Sequence, residues 1–220
     1  MTTEPIVCIG IDPGAAAGVA AVAWTGKGRP ELLALGRVRI PSPSQQHLRW
    51  CRAAMVAVSD VWAAVQSLDP APSVVPVWVE QAPPTVRAEA RRRHQVGGMA
   101  AWLGLGGYMG RLEAYAAAIT GQELYRVEHV RWIGEHDRRT VRPRKHQSRD
   151  DPVLGWHRLA EAGAVVEGAT EALSELADCS VKAEQANAID CAEAILIAAA
   201  GCLAQFRPAR PTRSRCRRAG

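Results

Sequence analysis

The sequence predicts an α/β domain in which a strand meander is followed by alternating helices and strands. Residues 6–11 (IVCIGI) form an apolar run that reaches Asp12, Pro13 and Gly14 then turn the chain, and residues 18–24 lead away. That is the pattern of a buried strand and its antiparallel partner. In residues 47–68 the apolar positions Leu48, Cys51, Met55, Val58, Trp62 and Val65 recur at helical spacing. A long helical pattern over 183–206, packed through Ala186, Ile189, Ile195, Leu196, Ala199 and Leu203, closes the regular part of the chain.

The intervening elements follow in order. Residues 31–40 (ELLALGRVRI) complete the meander as a third strand, and Ser44 is placed to cap the helix over 47–68. Pro70, Pro72 and Pro76 end that helix, and residues 74–79 (VVPVWV) read as a buried strand delivering Glu80 to its end. Residues 96–112 are helical in pattern but rich in glycine, each costing roughly 1 kcal/mol relative to alanine in a helix interior. Small residues let another backbone come close, with Met99, Trp102, Leu103, Tyr108 and Met109 as large knobs between them. A helix packed on its own sheet and a homodimer surface both fit that pattern. A short strand over 124–127, a helix over 153–162 closed by Gly163 and another over 169–176 complete the set.

A chain of 220 residues and 23.7 kDa with a 48% hydrophobic share supports one domain with a proper core. We assign that domain to 1–206 and read 207–220, which lacks apolar pattern, as a basic, disordered tail. No apolar run is long and uninterrupted enough to predict a membrane span, and no basic stretch precedes the first apolar run as in a signal peptide. The six cysteines form no Cys-x-x-Cys pair and fit small buried hydrophobes in a reducing compartment, so the expected location is the cytoplasm.

Charge is unevenly spread. Over 87–149 thirteen basic residues meet six acidic ones, over 150–206 two meet ten, and 207–220 adds six arginines with no acid. Basic clusters at Arg91, Arg92 and Arg93 and at Arg142, Arg144 and Lys145 form the expected polyanion-binding surface. The alternative is that arginine richness is a compositional bias and most of these side chains are simply solvated, and the scarcity of lysine (Lys27, Lys145 and Lys182) supports such a bias.

Four carboxylates stand out. Asp12 and Glu80 each follow an apolar strand, where an ionised acid is costly to desolvate unless it meets a cation. Each also fits a simple turn-capping role. Asp190 and Glu193 lie at i and i+3, hence on one face, among Ile189, Cys191, Ala192, Ala194 and Ile195. Like charges at that spacing repel, and no Lys or Arg follows within two turns. A divalent cation would relieve the repulsion, as would exposure of the pair to water at a sheet edge.

Three strings in this order, IGIDPGAAAG (9–18), VWVEQAP (77–83) and AIDCAEAILIA (188–198), resemble the ribonuclease H-like superfamily. Within it they resemble the RuvC-type Holliday junction resolvases and their phage relatives. The third string is similar to that family's closing Asp-Ala-Ala-Asp-Ala-Leu pattern, with Glu193 where Asp is common.

The resemblance implies a central mixed five-stranded sheet flanked by helices and a homodimer with its interface near residues 96–112. It also implies a metal-dependent crossover junction endodeoxyribonuclease acting on branched, four-way DNA. Asp12, Glu80, Asp190 and Glu193 are then the expected catalytic ligands. Oxygen donors without His or Cys suit Mg²⁺ or Mn²⁺. Two such ions roughly 4 Å apart activate water and stabilise the leaving oxygen of a phosphodiester. Lys145 is the expected stabiliser of phosphate charge.

A non-catalytic junction binder on the same fold is the alternative. The opening turn is also similar to that of actin/hexokinase-like ATPases, but those need two such domains and a second phosphate loop, for which 220 residues leave no room.

Overall fold

The computed structural model describes residues 4–13, 16–38, 46–81, 98–128, 152–177 and 182–206. The basic cluster at Arg91–Arg93, the segment with Arg142, Arg144 and Lys145, and the tail 207–220 lie outside these residues.

Strands β1 (Ile6–Asp12), β2 (Ala17–Trp24) and β3 (Glu31–Val38) form the expected meander. Helix α1 (Gln46–Gln66) leads to β4 (Val77–Gln81), and α2 (Gly98–Thr120) leads to β5 (Leu124–Glu128). Helices α3 (Pro152–Val165), α4 (Ala169–Ala177) and α5 (Lys182–Phe206) follow. The five strands make one mixed sheet in the order β3-β2-β1-β4-β5, antiparallel through the meander and parallel from β1 to β4 to β5.

Strand alternation sorts the core into two layers. Val7, Ile9 and Ile11 of β1, with Val77 and Val79 of β4, point toward α1 and α2. Trp50 is fully enclosed in that layer, and Tyr108 of α2 packs on it at 4.7 Å between ring centroids. Cys8 and, in β2, Ala20 and Val22 point to the other face, against α3, α4 and α5. Cys8, Cys191 and Cys202 are buried free thiols, as expected of small core residues.

Two boundaries and one helix differ from the sequence reading. β4 begins after Pro76 rather than at Val74, because the Val75 amide donates to Gln122 Oε1 instead of a ladder partner, and Val74 faces solvent. Gly163 does not close α3 but lies inside it, where a Cβ would collide with Thr170 Oγ1 of α4. The third difference is in α5. Its segment Asn187–Ala204 is long and apolar enough to cross a membrane by length and composition, but 78% of it is buried inside the protein. The apolar face expected for a span is here the packing surface on β1 and β2.

Candidate metal centre

Helix α5 crosses the sheet with almost no side-chain spacer. A Cβ on Gly10 would strike the backbone of Ala194 and Ala198, and one on Gly18 would strike Asp190 O and lie 2.7 Å from Cys191 Cα. Gly18 pairs with Asp12 across β1 and β2. The glycine that admits the helix is therefore the cross-strand neighbour of the acid beneath it. Asn187, one turn earlier in α5, donates from Nδ2 to the Val38 carbonyl at 3.2 Å and so pins the helix to the end of β3.

This packing brings three of the expected acids together. One carboxylate oxygen from each of Asp12, Asp190 and Glu193 lies within 4.8 Å of the others. Asp12 is 3% exposed and Glu193 5%, so both charges are removed from bulk water, while Asp190 is half-buried. The sheet-edge, solvated alternative for the Asp190 and Glu193 pair does not describe this helix. Three carboxylates at such range repel strongly in a low-dielectric setting, and oxygen donors of this kind match a hard divalent cation.

Glu80 stands on the same face but outside that group of three. The parallel pairing of β1 with β4 ends at Ile11 and Val79, so Asp12 and Glu80 each come directly after the last residue of that pairing. Glu80 lies within β4 rather than beyond it, is 5% exposed, and buries its Oε2 completely.

Arg158 is a charged residue of the site that the sequence reading missed. Its Nε donates to Glu193 Oε1 at 3.2 Å and its Nη1 to Glu161 Oε2 at 3.1 Å, with the guanidinium almost fully enclosed. The nearby cation that the local sequence of α5 lacks is supplied from α3. The signal available was compositional: Arg158 is one of only two cations in the acidic block 150–206 and stands at i, i+3 to Glu161. Nothing in the sequence couples it to Glu193, thirty-five positions away.

Expected interface residues divide in the same way. Tyr108, one of the large knobs of this helix, packs within the subunit on Trp50, whereas a Cβ on Gly107 or Gly110 would meet none of the described residues. The side chains of Met99 and Trp102 lie outside the described residues.

The sheet order, the flanking helices and the site at the ends of β1 and β4 define a fold of the ribonuclease H-like class. Among solved structures, the chain is similar to RuvC from Thermus thermophilus in complex with a Holliday junction substrate. That match has a TM-score of 0.54 and 15% identity, over 91% of this chain and 95% of the other. A second Thermus thermophilus RuvC structure matches with a TM-score of 0.52 and 18% identity, over 91% and 96%. No family model and no curated protein sequence matches the chain.

Proposed function

We propose that this chain is a divalent-metal-dependent endonuclease that resolves four-way DNA junctions by paired, symmetric phosphodiester hydrolysis. The observation that carries the reading is the 4.8 Å grouping of Asp12, Asp190 and Glu193, drawn from a strand and a helix far apart in sequence. The fold it sits on matches that of a protein whose structure holds a Holliday junction substrate.

In this reading Asp12, Glu80, Asp190 and Glu193 hold Mg²⁺ or Mn²⁺, two ions per site. Bound ions supply water activation and stabilisation of the leaving oxygen. The enclosed floor of β1 and β4 limits competing water, and Asn187 keeps the helix rotated so that its acids face the strands. Arg91, Arg92, Arg93, Arg142 and Arg144 contact DNA phosphates, and Lys145 offsets charge on the phosphate under attack. One subunit has one such cluster among its described residues while a junction requires two cuts, so the working unit is a two-fold dimer. In this reading α2 makes that contact, a choice supported by the space that the described residues leave open beside Gly107 and Gly110.

The test is an end-labelled four-way junction incubated beside a plain duplex and an RNA–DNA hybrid, with and without Mg²⁺. Paired nicks at symmetric positions, on the junction alone and only with Mg²⁺, are expected. Asp190→Asn and Glu80→Gln should abolish cleavage and leave junction binding intact. One observation favours the non-cutting junction binder: Arg158 already engages Glu193. Tight junction binding with no nick at any Mg²⁺ concentration would establish that second reading.

A further inference from the structure

Arg158 poses a question that the acidic cluster alone does not answer. A guanidinium enclosed beside a divalent-ion site repels the ion, yet enclosed carboxylates without a cation are costly. The bridge is asymmetric in a way that addresses both demands. Arg158 donates to both Glu193 Oε1 and Glu161 Oε2. Glu161 Oε1 is also buried and, among the described residues, accepts no hydrogen bond. A buried acceptor left open is expensive, and a carboxylate with both oxygens available is the natural partner of a planar guanidinium fork. Glu161 thus offers a second, bidentate seat to the cation that now also holds Glu193.

We propose that Arg158 is the resident counter-cation of the acidic cluster, and that it withdraws from Glu193 onto both oxygens of Glu161 when a divalent ion occupies the site. Arg158 is a positioning residue: it holds Glu193 in the ion-free protein and releases it to the ion. Glu161 sets how easily that release occurs. The inference rests on the metal-dependent reading above and deepens it by assigning two residues outside the ligand set to control of ion affinity.

Opposite shifts from the two halves of one bridge form the test. Mn²⁺ is titrated calorimetrically into the metal-stripped full chain, and melting temperature is recorded with and without Mn²⁺. Glu161→Gln removes the seat to which Arg158 retreats, so the Kd for Mn²⁺ should rise about tenfold, the scale of one charge-assisted hydrogen bond. Arg158→Gln removes the competitor, so Kd should fall by about the same factor. Its melting temperature should drop in the ion-free protein and recover with Mn²⁺, which a merely structural arginine would not cause. An Arg158→Gln chain that folds only with Mn²⁺ supports the proposal too; if it never folds, the Glu161→Gln constant decides. Variants that shift Kd in the same direction, or a Glu161→Gln Kd equal to the parent's, overturn it. Absence of any Mn²⁺ binding by the parent chain overturns both this inference and the metal-dependent function. Binding by the parent with unchanged variants overturns this inference alone.

Discussion

The two faces of the sheet are packed by opposite means. Toward α1 and α2 the strands present Val7, Ile9, Ile11, Val77 and Val79, and bulk fills the gap, with Trp50 at its centre. Toward α5 the contact is made by absence: Gly10 and Gly18 let the helix backbone rest on the strands, and the helix answers with Ala192, Ala194 and Ala198. The grouped acids lie on the second face. Bulky packing tolerates small shifts by rotamer changes, whereas backbone-on-backbone contact fixes the height and rotation of the helix. That precision suits groups that must converge within a few ångströms of a common point. The bulky face supplies stability, while the close-packed face brings the acids together.

Substitutions on each face can break that division. Trp50→Ala should be the most damaging to stability, by about 3–5 kcal/mol in denaturant unfolding, the usual cost of emptying a large aromatic site. Its folded fraction should still bind Mn²⁺ with the parent's affinity. Gly18→Ala should cost less, about 1–3 kcal/mol, because one methyl group meets the α5 backbone near Asp190. It should nevertheless lose Mn²⁺ affinity out of proportion to its stability, since the displaced turn carries Asp190, a proposed ligand. Equal losses of affinity in both variants would erase the distinction between the faces.

Gly107→Asp should leave stability within about 1 kcal/mol, since its Cβ meets none of the described residues and any non-glycine residue except proline favours the helix. Light scattering should nonetheless report a monomer, against the dimer proposed for the parent. An unchanged dimer would move the interface away from this part of α2. Smallest of all is the expected reactivity of Cys8. Its hydrogen bond with Cys202 and its burial push the thiol pKa up, which disfavours the reactive thiolate. Alkylating reagents should leave it unmodified in the folded protein, and rapid labelling would show that the core beneath α5 opens.

Much of this arrangement was legible in the residues. Each lone acid following an apolar run announced itself because strand alternation leaves few reasons for a carboxylate there, and the i, i+3 spacing placed Asp190 and Glu193 on one face. The glycines of the first motif were visible, but their purpose was not, since only the crossing of α5 shows what Gly10 and Gly18 admit. Gly163 was misread as a helix stop because local rules cannot anticipate Thr170 arriving from α4. Arg158 escaped for the same reason: its partner Glu193 is set by how α3 docks on α5. Local pattern reveals which groups are out of place; tertiary packing decides what satisfies them.

The central claim is that the acids on the close-packed face perform metal-dependent junction cleavage. Its most direct test is single-turnover cleavage of an end-labelled four-way junction by the Asp12→Asn protein, at concentrations where binding is complete by gel shift, beside the parent chain in Mg²⁺. Paired nicks by the parent and none by Asp12→Asn, with both bound equally, is the predicted result. Nicks by Asp12→Asn at the parent's rate would contradict the claim.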